Sequence, residues 1–398
     1  MSKQFIICFL FISAIFSYVL AQPVMGTGGH KMPNEWIDAA THHKIIKLTR
    51  REESSLSFYF HNNPFIDNKM VFYGKDEHKK RQYFIVDLAT FKVTQLTHHV
   101  GNITGEIVSS SRKEIFYQSA DSVFACNLLN ATERLAYVFP GNFKGDITTI
   151  NADGTLLGGV YASPEEKEIS RRYPQKHDYF NRIFLAHLPR TLFTIDIDKK
   201  ELNKLFTDTA WLNHVQFSPT NPQLMMFCHE GPWHKVDRIW TIDTHTKHIQ
   251  LIHNRTMNME IAGHEWFAAD GNTIWYDLQL PKGKTFYVGG TQLQTGNEHK
   301  YQLSRDEWSV HYTSAKDNKM FAGDGGDSAA VAKAKDGKWI YLFLPNGDHF
   351  QSEKLVDMKN HQYKLEPNVH FSPDEKWIIF RANFEGEENV YAVEIKRS

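Results

Sequence analysis

Cysteine is scarce in this chain, with three residues in 398. Only Cys126 and Cys228 lie beyond the N-terminal segment. One disulfide is the most that pair can form, two buried free thiols is the simpler reading, and no cysteine spacing suits a metal. An excess of either charge is also lacking, since 45 basic and 46 acidic residues leave a net charge of −1. That balance excludes the basic stripe of a nucleic-acid binder and the polybasic face of a membrane-surface protein. Beyond residue 21 no stretch is apolar for long enough to cross a membrane as a helix.

The single long hydrophobic run, FIICFLFISAIFSYVLA at 5–21, follows Lys3 and ends in small residues. It has the form of a secretory signal peptide cut near Ala21–Gln22, and Cys8 is not set in a lipoprotein cleavage motif. The mature protein is therefore expected to be periplasmic or secreted and free of the membrane. Sequons stand at Asn102, Asn130 and Asn254; they matter only in a host that glycosylates secreted chains.

Beyond residue 21 the chain repeats itself. An apolar residue, a short turn rich in Asp, Asn, Gly or Ser-Pro, and an apolar strand recur as PFIDNKMVFYG (64–74), VSSSRKEIFYQ (108–118), INADGTLLGGVY (150–161), FSPTNPQLMMFCH (217–229), FAADGNTIWYD (267–277), TSAKDNKMFAG (313–323) and FSPDEKWIIFR (371–381). The seven copies start about 51 residues apart, and further short strands such as RIWTIDT (238–244) and HIQLI (248–252) fill most gaps. Four short strands per unit, with no long helical period competing, predict an all-β fold, a seven-bladed β-propeller occupying 22–398 as one domain. IIKLT (45–49) has no blade of its own and VYAVEI (390–395) ends the last one, so the termini are expected to share a blade.

The repeat lets positions within the chain be compared with one another. Six residues before the turn residues Asp67, Thr220, Asp270 and Asp317 stand His61, His214, His264 and His311, and six before Asp374 stands Asn368. Blades two and three give no histidine. In a propeller these slots lie where the innermost strands begin, so the side chains converge on one mouth of the channel. The loop EGPWHKVD (230–237) joins two strands of blade four on that same side, which places Trp233, His229, His234 and Arg238 beside the mouth. The i,i+5 spacing of His229 and His234 is no helical zinc motif. An insertion at about 163–192 carries Arg171, Arg172, Lys176, Arg182 and Arg190, either a cationic arm over the mouth or an ordinary solvated one. Trp233, Trp266 and Trp308 are candidates for stacking on sugar faces, whereas Trp240 and Trp275 read as core. DGGD (324–327) reads as a tight turn.

HEGPWHKVDRIW (229–240), EIAGHEWFAADG (260–271), WSVHYTSAKDNKMFAGDGG (308–326) and EPNVHFSPDEKWIIF (366–380) together resemble the oligogalacturonate lyase family over most of the mature chain. These are seven-bladed propeller enzymes acting on short pectic oligomers. The resemblance implies β-elimination on an acidic oligosaccharide, with a divalent metal, manganese in the family, neutralising the uronate carboxylate. It makes His264 the base, Arg238 the carboxylate-neutralising arginine and His311 a metal ligand. The family's Gln-x-x-His-x-His segment is altered here. Tyr363, Glu366 and Asn368 stand in its three ligand positions, and Glu366 and Asn368 bring oxygen donors suited to Mn²⁺, Mg²⁺ or Ca²⁺. His61 is either a replacement ligand or a substrate contact, and His214, His229, His234, Trp233, Arg171 and Arg172 remain as substrate contacts. A non-catalytic periplasmic binding propeller, a lyase of rhamnogalacturonan fragments, and a hydrolase using carboxylates such as Glu230, Glu265, Asp237 and Glu366 are the alternatives.

Overall fold

The computed structural model describes residues 22–396; the segment 1–21, read above as a signal peptide, lies outside them. Its strands fall into seven antiparallel units around a central axis. Blade one runs from Ser55 to Gln95, blade two from Thr104 to Val138, blade three from Asp146 to Asp208 and blade four from Trp211 to Leu251. Blades five (Ile261–Leu303) and six (Tyr312–Asp357) join at their outer edges through one parallel pairing, Gln302 with His349. Blade seven takes three strands from the C-terminal end, His370 to Glu394. Its fourth is Lys44–Lys47, where Ile45 pairs with Val393 and Ile46 with Ala392. The expected sharing of a blade by the two ends is present. Two further N-terminal strands, Val24–Met25 and Glu35–Asp38, extend beyond it.

Burial follows position within the blade. Second strands such as Leu224–Glu230 are sandwiched between neighbouring blades and read as continuous apolar runs, as expected for strands covered on both faces. Outer strands such as Glu201–Asp208 are largely exposed and carry polar residues. The core lies between blades. Trp275, Phe286 and Val288 of blade five pack on Tyr312, Phe321 and Phe343 of blade six, with Phe60 of blade one completing the cluster at the axis. Cys126 and Cys228 are free and buried.

The insertion is a helical hairpin set between the second and third strands of blade three: α1 (Pro164–Arg172) and α2 (Lys176–Ala186). Ser163 caps α1 with Pro164 behind it, a start signal of known preference. The arm is fastened at three points. Arg190 holds Glu166 of α1 and donates to the Leu212 carbonyl at 2.7 Å. Phe180 lies 5.1 Å from the Trp211 ring. Phe184 fills the space over Gly231, whose Cβ would come within 2.6 Å of that ring; glycine alone permits the approach.

Candidate functional site

Three innermost strands share a backbone irregularity at the predicted slots. At His214, His264 and Asn368 the chain enters the left-handed region, with φ of 48°, 48° and 52°. In blades four and five the strand register slips at that point, between Asn213 and Gln216 and between Gly263 and Trp266. A bulge of this kind re-aims a side chain out of the strand's alternation, and holding a non-glycine residue there costs about 1–3 kcal/mol. Blade two slips beside Gly105 (φ 77°), and blade three at Thr148. The slot therefore exists in those blades too, occupied by residues without an imidazole.

His61 and His311 reach the cluster differently. His311 stands just ahead of the strand Tyr312–Ser314. His61 rides on residues 57–64, which interrupt the inner strand of blade one between Leu56, paired with Tyr73, and Phe65, paired with Met70. This excursion turns on the Asn62 N–H, which donates to the Tyr59 carbonyl at 2.9 Å, and carries Tyr59, Phe60 and His61 to the axis. Ring centres lie 4.7 Å apart for His264 and His311, and 5.9 Å apart for His61 and His214. Phe60 stacks on His311 at 4.7 Å, and Tyr59 meets His311 edge-on at 5.1 Å and His61 at 5.0 Å. The sequence-derived slots thus converge as expected, together with two aromatic residues that the pattern did not single out.

His311 is fully buried and firmly oriented. Its Nδ1 lies 2.9 Å from Asp324 Oδ2, while its own N–H and that of Asn368 donate to the same carboxylate at 2.7 and 3.1 Å. An ionised carboxylate only accepts, so Nδ1 carries the proton and Nε2 offers a lone pair. Among the described residues that Nε2 has no hydrogen-bond partner, and it lies 3.8 Å from Glu366 Oε2. Asn368, expected as a third donor, uses its amide otherwise: Oδ1 accepts the Phe60 N–H at 2.9 Å and Nδ2 donates to the Glu366 carbonyl at 3.0 Å. Tyr363 donates to the Asp324 carbonyl at 3.0 Å. Among the described residues no three His, Cys, Asp or Glu side chains converge into a closed metal cage.

Arg238 enters the site from below. It is 2% exposed, with Nη1 donating to Glu230 at 2.8 Å and Nε to Glu265 at 2.9 Å. Two carboxylates thus already match the guanidinium expected to meet the substrate. Burial alone would raise the Glu230 carboxyl, but Arg238 and His214 beside it hold it down at about 2. Trp233 lies over the guanidinium at 4.6 Å, donates to Glu230 at 3.0 Å, and presents its ring to His264 at 4.9 Å. Gly263 makes room for it, since a Cβ there would lie 2.3 Å from the indole. Burial, then the positive fields of His311, His214, Arg238 and Lys176, keep His264 well below the ordinary imidazole value. It is therefore neutral and able to accept a proton at pH 7. Burial lowers His61 and His214 in the same direction.

Other candidates stand apart from this cluster. His229 points to the opposite side of its strand from Glu230 and stacks on Trp240 at 4.8 Å. His234 sits on the short turn Trp233–Lys235, its carbonyl bonded by Arg255. Arg171 and Arg172 are exposed on α1 and paired with Glu168; Lys176 of α2 is the insertion's cation whose field reaches His264, and it makes no ion pair among the described residues. Trp266 and Trp308 are core residues, each 4% exposed, so neither is available to stack on a sugar. Trp233 keeps that possibility. Sequence reasoning passed over Tyr59 and Asp324; DGGD was read as a turn, and its first carboxylate orients His311.

Fold and cluster together define a propeller with histidines and carboxylates gathered at one end of its axis. Residues 29–398 match the family model described as oligogalacturonate lyase, and the chain belongs to that family. Among curated proteins it is similar to the oligogalacturonide lyase of Pectobacterium atrosepticum, 22% identical over 93% of this chain and 98% of that one. It is also similar to the oligogalacturonate lyase of Dickeya dadantii, 23% identical over 91% and 95%. Among solved structures, an oligogalacturonate lyase in complex with manganese superposes with a TM-score of 0.79 at 22% identity, covering 94% of this chain and 99% of that one. The Vibrio parahaemolyticus oligogalacturonate lyase gives the same score and identity over 91% and 96%. At these identities the structural likeness shows a shared fold.

Proposed function

We propose that the protein is a lyase that cleaves oligogalacturonate, an acidic oligosaccharide, by metal-assisted β-elimination outside the cytoplasm. Membership of the family over residues 29–398, joined to a neutral His264 set 4.7 Å from an oriented His311, carries the reading. His264 takes the proton alpha to the uronate carboxylate, the electron pair forms the C4–C5 double bond, and the glycosidic C4–O bond breaks. Base assistance of this kind is worth roughly 10²- to 10⁴-fold. Arg238, with Glu230 and Glu265, braces Trp233 and thereby the wall against which His264 stands. The open ammonium of Lys176 supplies positive charge at the entrance for an anionic chain.

A divalent cation, manganese in the relative solved with it, fits His311 Nε2 and Glu366. A buried imidazole nitrogen without a partner, its other nitrogen held by a carboxylate, is the arrangement that orients a metal-bound histidine. A carboxylate oxygen suits a hard ion. Such a cation, when bound, neutralises the uronate carboxylate and so acidifies the neighbouring proton.

A panel of galacturonate oligomers, assayed after chelation with and without added Mn²⁺, tests the reading through the ultraviolet absorbance of the 4,5-unsaturated product. Metal-dependent absorbance is expected. New reducing ends without it would mean hydrolysis, and binding without either would mean a non-catalytic propeller. The location is tested by N-terminal sequencing of the mature protein from outside the cytoplasm, which is expected to begin at Gln22.

A further inference from the structure

The elimination assigned above leaves one step without an agent: the departing sugar oxygen must gain a proton, because a sugar alkoxide is a poor leaving group in neutral water. The donor must be open to the mouth, close to His264 and His311, and not already bonded elsewhere. Most side chains nearby fail that test. Arg238 is held by Glu230 and Glu265, the Trp233 indole by Glu230, the Tyr363 hydroxyl by the Asp324 carbonyl, and the Asn368 amide by Phe60 and Glu366. The Tyr312 hydroxyl is buried and accepts the Ser309 N–H at 2.7 Å.

Tyr59 is different. It is half-buried, and among the described residues its hydroxyl has no hydrogen-bond partner. Its ring is held by Phe60, His61 and His311 at centre distances of 4.8, 5.0 and 5.1 Å, and by His214 at 6.0 Å. The backbone beneath it is pinned on both sides, by the Asn62 N–H on the Tyr59 carbonyl and by the Phe60 N–H on Asn368. The interruption of the blade-one strand is what brings this residue to the axis. His264 and Tyr59 both flank the His311 ring, at 4.7 and 5.1 Å. In a 4-linked galacturonate the proton at C5 and the oxygen at C4 stand on opposite faces of the ring, so base and acid must come from different directions.

We propose that Tyr59 is the catalytic proton donor to the departing sugar oxygen, and that the sugar ring sits with this hydroxyl and the base His264 on its opposite faces. The inference rests on the lyase reading. The C5–H bond breaks toward the imidazole, its electrons form the C4–C5 double bond, the C4–O pair stays with oxygen, and the phenol O–H proton caps it. The phenolate then regains a proton from water.

The test compares two substrates in the wild type and in Tyr59→Phe, which keeps the ring and its contacts. Trigalacturonate has a sugar leaving group that needs a proton; a galacturonate bearing a nitrophenyl ether at O4 does not. The expected result is a fall in kcat of roughly 10²- to 10⁴-fold on the first, with less than a tenfold change on the second. Equal losses on both, in a variant that melts with the wild type, overturn the role, and so does no loss on either. Should the variant melt early, a fluorinated tyrosine at position 59, similar in shape but more acidic, gives a second reading. The rate must then change on trigalacturonate alone, and an unchanged rate overturns the role. A wild type that makes no unsaturated product from either substrate overturns the lyase reading and this inference together.

Discussion

His361 is 1% exposed and uses both ring nitrogens: Nε2 donates to the Leu365 carbonyl at 2.7 Å, and Nδ1 accepts the Asn383 N–H at 3.3 Å. A second proton on Nδ1 would displace that N–H. Burial, aided by the positive charge of Lys338 and opposed by the Leu365 bond, pushes this imidazole down to about 4 from its ordinary 6.5. Above pH 6.5 the ring is neutral in the folded and unfolded chain alike, and adds no pH dependence. Between 6.5 and 4 the unfolded chain takes up a proton that the folded one refuses, so stability falls as pH falls. From pH 7 to pH 4 this single group removes about 3 kcal/mol, since each pKa unit is worth about 1.4 kcal/mol. Urea unfolding followed by tryptophan fluorescence at pH 7, 6, 5 and 4 measures it, with His361→Gln as comparison. The variant is less stable at neutral pH, but its stability declines by about 3 kcal/mol less on the way to pH 4. Every other titrating group contributes to both proteins, so parallel declines would refute the reasoning. His361 opens the segment that leads through Tyr363 and Glu366 to Asn368.

Three further outcomes follow from the geometry. His264→Ala is expected to lower turnover by at least about 10²-fold with an unchanged melting temperature, and near-normal turnover would remove it as the base. Asp324→Asn takes away the carboxylate that orients His311; Mn²⁺ titration by calorimetry should show affinity about 10- to 100-fold weaker, and unchanged affinity would place the metal elsewhere. Gly263→Ala forces Trp233 away from a Cβ that would otherwise lie 2.3 Å from it, costing about 1–3 kcal/mol. Turnover should fall with stability, and a variant with wild-type melting and kcat would show that the wall has no such contact.

The ring of blades was legible because a repeat displays its own register: turns at a fixed phase and strands too apolar to be exposed. The same phase found His214, His264 and Asn368, since each takes a left-handed backbone at a fixed distance from the turn. It also reached His61 and His311, although their backbones take other routes. Partners were not legible. Nothing in HEGPWHKVDR says that Glu230 and, from the next blade, Glu265 would enclose Arg238, because the pairing depends on how two blades face each other. Tyr59 was hidden for a related reason. In SFYFHNNPF (57–65) it is the pairing of Leu56 and Phe65 with different parts of one neighbour that shows the chain leaving the sheet between them.

The hydrogen bond from the Phe60 N–H to Asn368 joins residues 308 positions apart, on either side of the seam where Lys44–Lys47 meets Asn389–Glu394. The excursion that carries Tyr59 and His61 is thus synthesised early and the segment that carries Glu366 and Asn368 late, with Arg238, His264 and His311 between them. Loop closure over such a span is slow and comes late in folding. A nascent or truncated chain, however many blades it has already formed, therefore holds no assembled site. Closure of the ring is what brings the two ends of the site together.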